Sequence, residues 1–154
     1  FDPDGMTTRA MLVSILYRMA GEPDVSELPE TPFEDVGPDA WYADAVRWAY
    51  ANEVAAGMDD THFAPDDRLT RAQLVTMLYR AYGPEKGVRP RPIGGYTDWN
   101  TVPEWAYPAA TWAVSMGLLY GTSSSQLSPN AGANRAQLAA FMMRTCELQS
   151  ELDA

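Results

Sequence analysis

Three arginines fall at one register of a repeated motif: Thr8-Arg9-Ala10-Met11, Thr70-Arg71-Ala72-Gln73 and Asn134-Arg135-Ala136-Gln137. Successive arginines are separated by 62 and 64 positions. Each motif has the form of a helix start, with Thr or Asn as N-cap and the arginine in the first turn. The helix macrodipole is positive there and disfavours a cation by roughly 0.3–1 kcal/mol. A cation kept three times in that position calls for an anion. One candidate is the carboxylate of an acidic ligand, held bidentately by a guanidinium and the first-turn N–H groups. The other is an internal carboxylate, with Asp35 or Asp98 of an adjacent repeat as the partner. The two are compatible, since an aspartate can orient an arginine that binds.

The elements that position these arginines repeat with a period of about 63 residues, and periodicity on that scale decides the architecture. Each repeat has two halves. The first is an opening turn and a helix: Phe33-Glu34-Asp35-Val36 and Trp41-Tyr42 ahead of Ala43–Tyr50, then Tyr96-Thr97-Asp98-Trp99 and Trp105-Ala106 ahead of a helix through Val114. Trp48 and Trp112 recur at one register, as do Gly57 and Gly121, and Asn52 and Gly117 are expected as left-handed helix ends. The second half is a loop and a second helix. The loops are Phe1-Asp2-Pro3-Asp4-Gly5, Phe63-Ala64-Pro65-Asp66-Asp67 and Leu127-Ser128-Pro129-Asn130-Ala131, each a Pro/Asx turn with a large apolar anchor. Gln73 and Gln137 complete capping boxes that Met11 breaks in the first copy.

Apolar stripes at intervals of three and four bury one face of each second helix: Leu12, Val13, Leu16, Tyr17 and Ala20; Leu74, Val75, Leu78, Tyr79 and Tyr82; Leu138, Ala139, Met142, Met143 and Cys146. This places Cys146 in the core as a small hydrophobe. Arg18, Arg80 and Arg144 share a register near helix C-termini, where the dipole favours a cation. The organisation expected is residues 1–20 as the second half of repeat 1, 21–32 linker, 33–82 repeat 2, 83–95 linker, 96–148 repeat 3 and 149–154 tail. The opening helix of repeat 1 is missing, so the array is expected to begin upstream or to have been trimmed.

The chain has 154 residues, 46% of them hydrophobic, and a formal charge of −10. That charge argues against nucleic acid and anionic lipid as partners, and no apolar run reaches the length of a membrane span. A single cysteine rules out an intrachain disulfide and a Cys-based zinc site. Asp59, Asp60, Asp66 and Asp67 lack the alternating ligands and distant Glu of a calcium loop, and His62 stands alone as an exposed loop residue. No nucleophile triad, phosphate loop or metal-ligand spacing is present, so no catalytic, metal or cofactor residues are assigned.

Phe33-x-Asp35-Val36, Trp41-Tyr42-x-x-Ala45-Val46, Gly57, Phe63-x-Pro65 and Thr70-Arg71-Ala72-Gln73 together resemble the S-layer homology (SLH) repeat. The match is closest in the middle repeat and limited to the second half in the first. The resemblance implies an all-α fold of helix-loop-helix repeats arranged as a pseudo-trimer, the first repeat lacking its opening helix. It implies a secreted, non-catalytic anchor at the surface of Gram-positive bacteria that binds secondary cell-wall polysaccharide, often bearing pyruvate ketals, in inter-repeat grooves. Carried over residue by residue, it points to Arg9, Arg71 and Arg135 as contacts for the acidic sugar. It points also to Asp35, Asp98, Trp41, Trp105, Gly57 and Gly121 as groove lining. The chain departs from the family where Met11, Gln73 and Gln137 replace a glutamate, where Trp99 replaces Val, and where Asn134 replaces Thr. Trp48 and Trp112 read as core, whereas Trp41 and Trp105 fit either a sugar platform or a hydrophobic peg. The rival readings are an assembly module, whose exposed apolar face takes a second copy or a neighbouring domain, and a glycan-processing enzyme.

Overall fold

The computed structural model describes residues 2–83 and 94–154. Among these the protein is all-α: α1 (Arg9–Met19), α2 (Ala43–Ala51), α3 (Arg71–Tyr82), α4 (Tyr107–Ser115) and α5 (Arg135–Leu152), with short 3-10 turns at Trp99–Thr101 and Glu104–Ala106. The only extended pairings among the described residues are three isolated bridges. The chain divides into two compact units, Thr7–Arg68, and Phe1–Met6 together with Leu69–Ala154. All but the ends of the expected 83–95 linker, and the apolar anchor at position 1, lie outside the described residues.

In the unit Thr7–Arg68, α1 packs on α2. Leu12, Val13 and Leu16 are fully buried, and the Tyr17 ring meets Trp48 with centroids 5.9 Å apart. The first linker is fastened down. Arg47 of α2 donates to the carbonyls of Ser26, Leu28 and Pro29, and the Tyr17 hydroxyl donates to Pro23 O at 2.8 Å. The left-handed residue that ends α2 is Glu53 (φ 57°), not Asn52. Asn52 instead satisfies Trp48 O with its side-chain amide at 2.9 Å and its backbone N–H at 3.0 Å, so the reversal moves one residue on.

In the second unit α3 packs on α4 in the same way, with Tyr79 against Trp112 at 5.5 Å. Both indoles expected in the core, Trp48 and Trp112, are buried. Capping boxes close at Thr70–Gln73 and Asn134–Gln137, while Thr8 caps α1 without one. Gly117 ends α4 at φ 69°. Two expectations for the third helix are corrected. The buried stripe of α5 is Leu138, Phe141, Met142 and Thr145, leaving Ala139, Met143 and Cys146 exposed. Because α5 runs on to Leu152, Arg144 lies mid-helix and not in the last turn. Its guanidinium sits 4.3 Å over the Tyr120 ring, so it is held by the π face and not by the dipole.

Candidate functional site

The three helix starts share one arrangement. The N–H groups of Arg9 and Ala10 donate to Asp67 O and Pro65 O at 3.1 and 2.9 Å. Those of Arg71 and Ala72 donate to Ala131 O and Pro129 O at 2.9 and 2.8 Å, and those of Arg135 and Ala136 to Gly5 O and Pro3 O, both at 3.0 Å. The next N–H in each helix goes to its cap side chain, Thr8, Thr70 or Asn134. Each Asx/Pro loop is thus the cap of a helix distant in sequence, and the donors that a helix N-terminus normally offers an anion are taken. A ligand carboxylate gripped jointly by guanidinium and first-turn N–H groups has no donors left in the second role.

The guanidinium groups of Arg9 and Arg71 are turned inward, at 4% and 5% relative exposure. Arg9 Nε donates to Phe63 O at 2.9 Å and Nη2 to Ala56 O at 2.7 Å, with the cation 4.7 Å over the Phe63 ring. Arg71 repeats this with Leu127 O at 3.1 Å and Tyr120 O at 2.5 Å. Each arginine therefore ties the first residue of a capping loop to the turn after the preceding helix. Burial lowers the pKa of both, opposed by Asp67 and Asp35 for Arg9 and by Tyr96 and Asp98 for Arg71. A guanidinium stays charged regardless. The internal anion is thus a pair of carbonyl dipoles with carboxylates nearby, and neither arginine is in contact ion pairing among the described residues. Arg135 differs: it is half-buried, and its guanidinium makes no hydrogen bond or ion pair among the described residues.

The aspartates hold the same loops. The Asp35 oxygens accept from the N–H groups of Phe63 and Ala64 at 2.8 and 2.7 Å. Those of Asp98 accept from Leu127 and Ser128 at 2.8 and 2.9 Å. Ala64 and Ser128 carry positive φ (57° and 52°), a strained state for a residue with a Cβ, and the carboxylate fixes it. Partial burial works against the Asp35 anion, but the backbone N–H bonds prevail and hold the carboxyl below its usual range. The Leu127 N–H bond does the same for Asp98. Gly57 and Gly121 allow the adjoining turns to close. A Cβ at Gly57 would stand 2.4 Å from Asp59 O, and one at Gly121 the same distance from Gln126 O. Phe33 and Tyr96, which open the two entry turns but are not among the expected site residues, also close on these glycines with their rings. Their equal register and aromatic character were the available signal; the Tyr96 hydroxyl accepts from Gly121 N–H at 3.2 Å.

Trp41 and Trp105 stand apart from the other repeated residues. They are 66% and 54% exposed, which rules out the peg reading for both. Trp41 meets the neighbouring Tyr42 ring edge-on at 5.1 Å. The acidic loop explains itself locally, because Asp59 accepts from Thr61 and His62 N–H groups at 2.8 Å each. Among the described residues no group of three His, Cys, Asp or Glu could hold a metal ion, and no helix is long and apolar enough to cross a membrane.

Helix–loop–helix repeats, each loop capping a helix start distant in sequence, define a modular repeat protein. The chain belongs to the S-layer homology domain family, whose family model matches residues 32–75 and 95–139, more than half its length. It is 31% identical over 144 residues to an endoglucanase of Bacillus sp. (strain KSM-635), covering 92% of this chain and 15% of that protein. It is 31% identical to the surface-layer 125 kDa protein of Lysinibacillus sphaericus, covering 96% of this chain and 12% of that protein. With a cellulosome-anchoring protein of Acetivibrio thermocellus it shares 24% identity, over 96% of this chain and 33% of that protein. The chain thus spans a third or less of each of these relatives.

Proposed function

We propose that this chain is a non-catalytic cell-wall anchoring module acting at the cell surface, and that it binds an acidic, pyruvylated secondary cell-wall polysaccharide. The relatives named for surface layers and for anchoring support the first part. The second rests on one observation: of the residues that recur between repeats, Trp41 and Trp105 alone pair equal register with broad exposure and an aromatic face. In this reading sugar rings stack on those indoles. The acidic substituent meets Arg135, which is half-buried and makes no described side-chain hydrogen bond or ion pair. Asp35, Asp98, Gly57 and Gly121 shape the loops that carry these contacts. The net charge of −10 does not forbid an anionic ligand, because charges beyond a Debye length of about 8 Å are screened at physiological salt.

The endoglucanase named among the relatives is matched over 15% of its length, and hydrolysis requires a pair of carboxyls facing the scissile bond. Asp35 and Asp98 commit both oxygens to backbone N–H groups. The test is co-sedimentation with purified Gram-positive wall sacculi, before and after chemical removal of the polysaccharide, for wild type, Trp41→Ala and Trp105→Ala. Binding that needs both the polysaccharide and the indoles supports the reading. Polysaccharide-dependent binding that survives loss of both indoles would refute the assigned site, and a folded wild type that stays in the supernatant across a panel of walls would refute anchoring.

A further inference from the structure

We infer that the hollow between the end of the first linker and the start of α2 is a subsite for a neutral pyranose ring. The inference rests on the glycan-binding reading above and adds to it a class of sugar and a place. The hollow lies wholly within the unit Thr7–Arg68 and offers about 350 Å³, at the small end of the roughly 300–1,000 Å³ that ligand pockets occupy. Phe33, Val36 and Pro38 give it an apolar wall, and Glu30, Thr31, Asp44 and Arg47 supply polar groups. A pyranose has the same two characters, with C–H groups on its faces and hydroxyls around its edge. Trp41, the exposed indole assigned to stacking, stands in the turn between Pro38 and Ala43, both of which line the hollow.

The polar groups set the class of ligand. Arg47 spends Nε and Nη2 on the linker carbonyls of Ser26, Leu28 and Pro29, which fastens the linker just ahead of Glu30 and Thr31 and leaves Nη1 as a donor. The Glu30 and Asp44 carboxylates make no hydrogen bond or ion pair among the described residues. Sugar hydroxyls can therefore donate to the carboxylates and accept from Nη1. Two carboxylates outnumber the one guanidinium in the lining, so a sugar acid meets net repulsion here and a neutral ring does not. The fold does not require this lining. At the same register the next repeat carries Trp99, Tyr107, Pro108 and Thr111 in place of Val36, Ala43, Asp44 and Arg47, and α4 still packs on α3. The subsite thus belongs to the middle repeat, and the bulkier, uncharged residues of the next one do not reproduce it.

The experiment follows backbone amides by NMR while the isotope-labelled chain is titrated with the methyl glycosides of glucose, mannose and galactose, and with glucuronic acid. Each is taken to about 20 mM, well above the Kd of about 1 mM that a ligand of about a dozen heavy atoms reaches. At least one neutral glycoside should shift amides within residues 30–47 saturably, and glucuronic acid should bind there about tenfold more weakly or not at all. Replacing both carboxylates (Glu30→Ala with Asp44→Ala) should weaken the neutral glycoside about tenfold or more. Val36→Trp, the residue type of the next repeat, should fill the hollow and abolish the shifts. Should that variant fail to fold, the carboxylate pair still carries the test, because both side chains are exposed and unbonded. The absence of shifts at residues 30–47 with every neutral glycoside overturns the inference, as does glucuronic acid binding there as tightly as any of them. Co-sedimentation with wall sacculi, run in parallel, separates this from the anchoring reading. Wild type that sediments without sugar shifts at residues 30–47 loses the subsite alone, whereas sugar shifts without sedimentation remove anchoring and leave the sugar pocket.

Discussion

Replacing Arg71 by alanine removes two charge-assisted hydrogen bonds, to Leu127 O and Tyr120 O, from a side chain that is almost wholly buried. Bonds from a charged donor are worth about 1.5–3 kcal/mol each, and truncation strands both carbonyls beside the hole left by the side chain. Water entering that hole recovers part of the loss, so Arg71→Ala should cost about 3 kcal/mol, a large share of a domain's usual 5–15 kcal/mol. Arg9→Ala should cost at least as much, because the cation also lies over the Phe63 ring. Arg135→Ala, which breaks no described side-chain bond, should stay within about 0.5 kcal/mol. Urea unfolding followed by far-UV circular dichroism, with midpoint and slope fitted together, measures all three. Equal costs for Arg71→Ala and Arg135→Ala, or an Arg71→Ala variant as stable as wild type, would refute the idea that the inward arginines tie down the capping loops. The result also governs how binding data are read, since Arg71→Ala can abolish wall binding by loosening the loop without any contact to the ligand.

Trp41→Ala and Trp105→Ala should leave stability within about 0.5 kcal/mol and weaken polysaccharide-dependent sedimentation about tenfold each, the worth of one stacking contact of about 1–1.5 kcal/mol. Asp98→Asn should destabilise at neutral pH by about 1–2 kcal/mol, because a charged acceptor is lost from two backbone N–H groups. The native Asp98 carboxyl is held below its usual range, so its contribution is full above the unfolded value near 3.9 and fades as pH falls through the native one. Wild type should therefore lose its advantage over Asp98→Asn below about pH 4 in urea titrations at stepped pH, and an advantage unchanged at pH 2 would count against the clamp. Gly121→Ala sets a Cβ 2.4 Å from Gln126 O and 2.5 Å from Ser123 O; a thermal midpoint equal to wild type would show that this turn can open, whereas we expect a loss of about 1–3 kcal/mol.

Local rules carried most of the fold. Helix starts, capping boxes and the Trp48 and Trp112 core registers follow from side-chain chemistry within a few residues, and such signals are written in the sequence itself. The misreadings share a cause. The three-and-four spacing along the third helix puts Met143 and Cys146 in the core, but a stripe states only which residues suit burial and not whether a helix arrives to bury them. Arg144 was assigned to a helix end because its equivalents lie at ends, and the extra turns of α5 removed that reason. Asn52 was given the left-handed position by residue type, and a side-chain bond to Trp48 O decided otherwise.

The arginines are the instructive case. A cation in a first turn calls for negative charge, but a sequence displays carboxylates and not carbonyls. The partners of Arg9 and Arg71 are backbone oxygens of Ala56, Phe63, Tyr120 and Leu127, aimed by turns that Asp35 and Asp98 hold in place. No residue-type pattern announces an aimed carbonyl, and the positive φ at Ala64 and Ser128 shows only in the structure. Because the motif arginine serves the loop, its recurrence does not by itself mark a ligand contact. In the proposed reading the contacts fall instead on Trp41 and Trp105, which recur with their indoles exposed. Arg135, built like its two equivalents but free of their carbonyl bonds among the described residues, is then the cation best placed to meet an outside carboxylate. It can be substituted without disturbing a loop, so it separates ligand contact from loop support where Arg9 and Arg71 cannot.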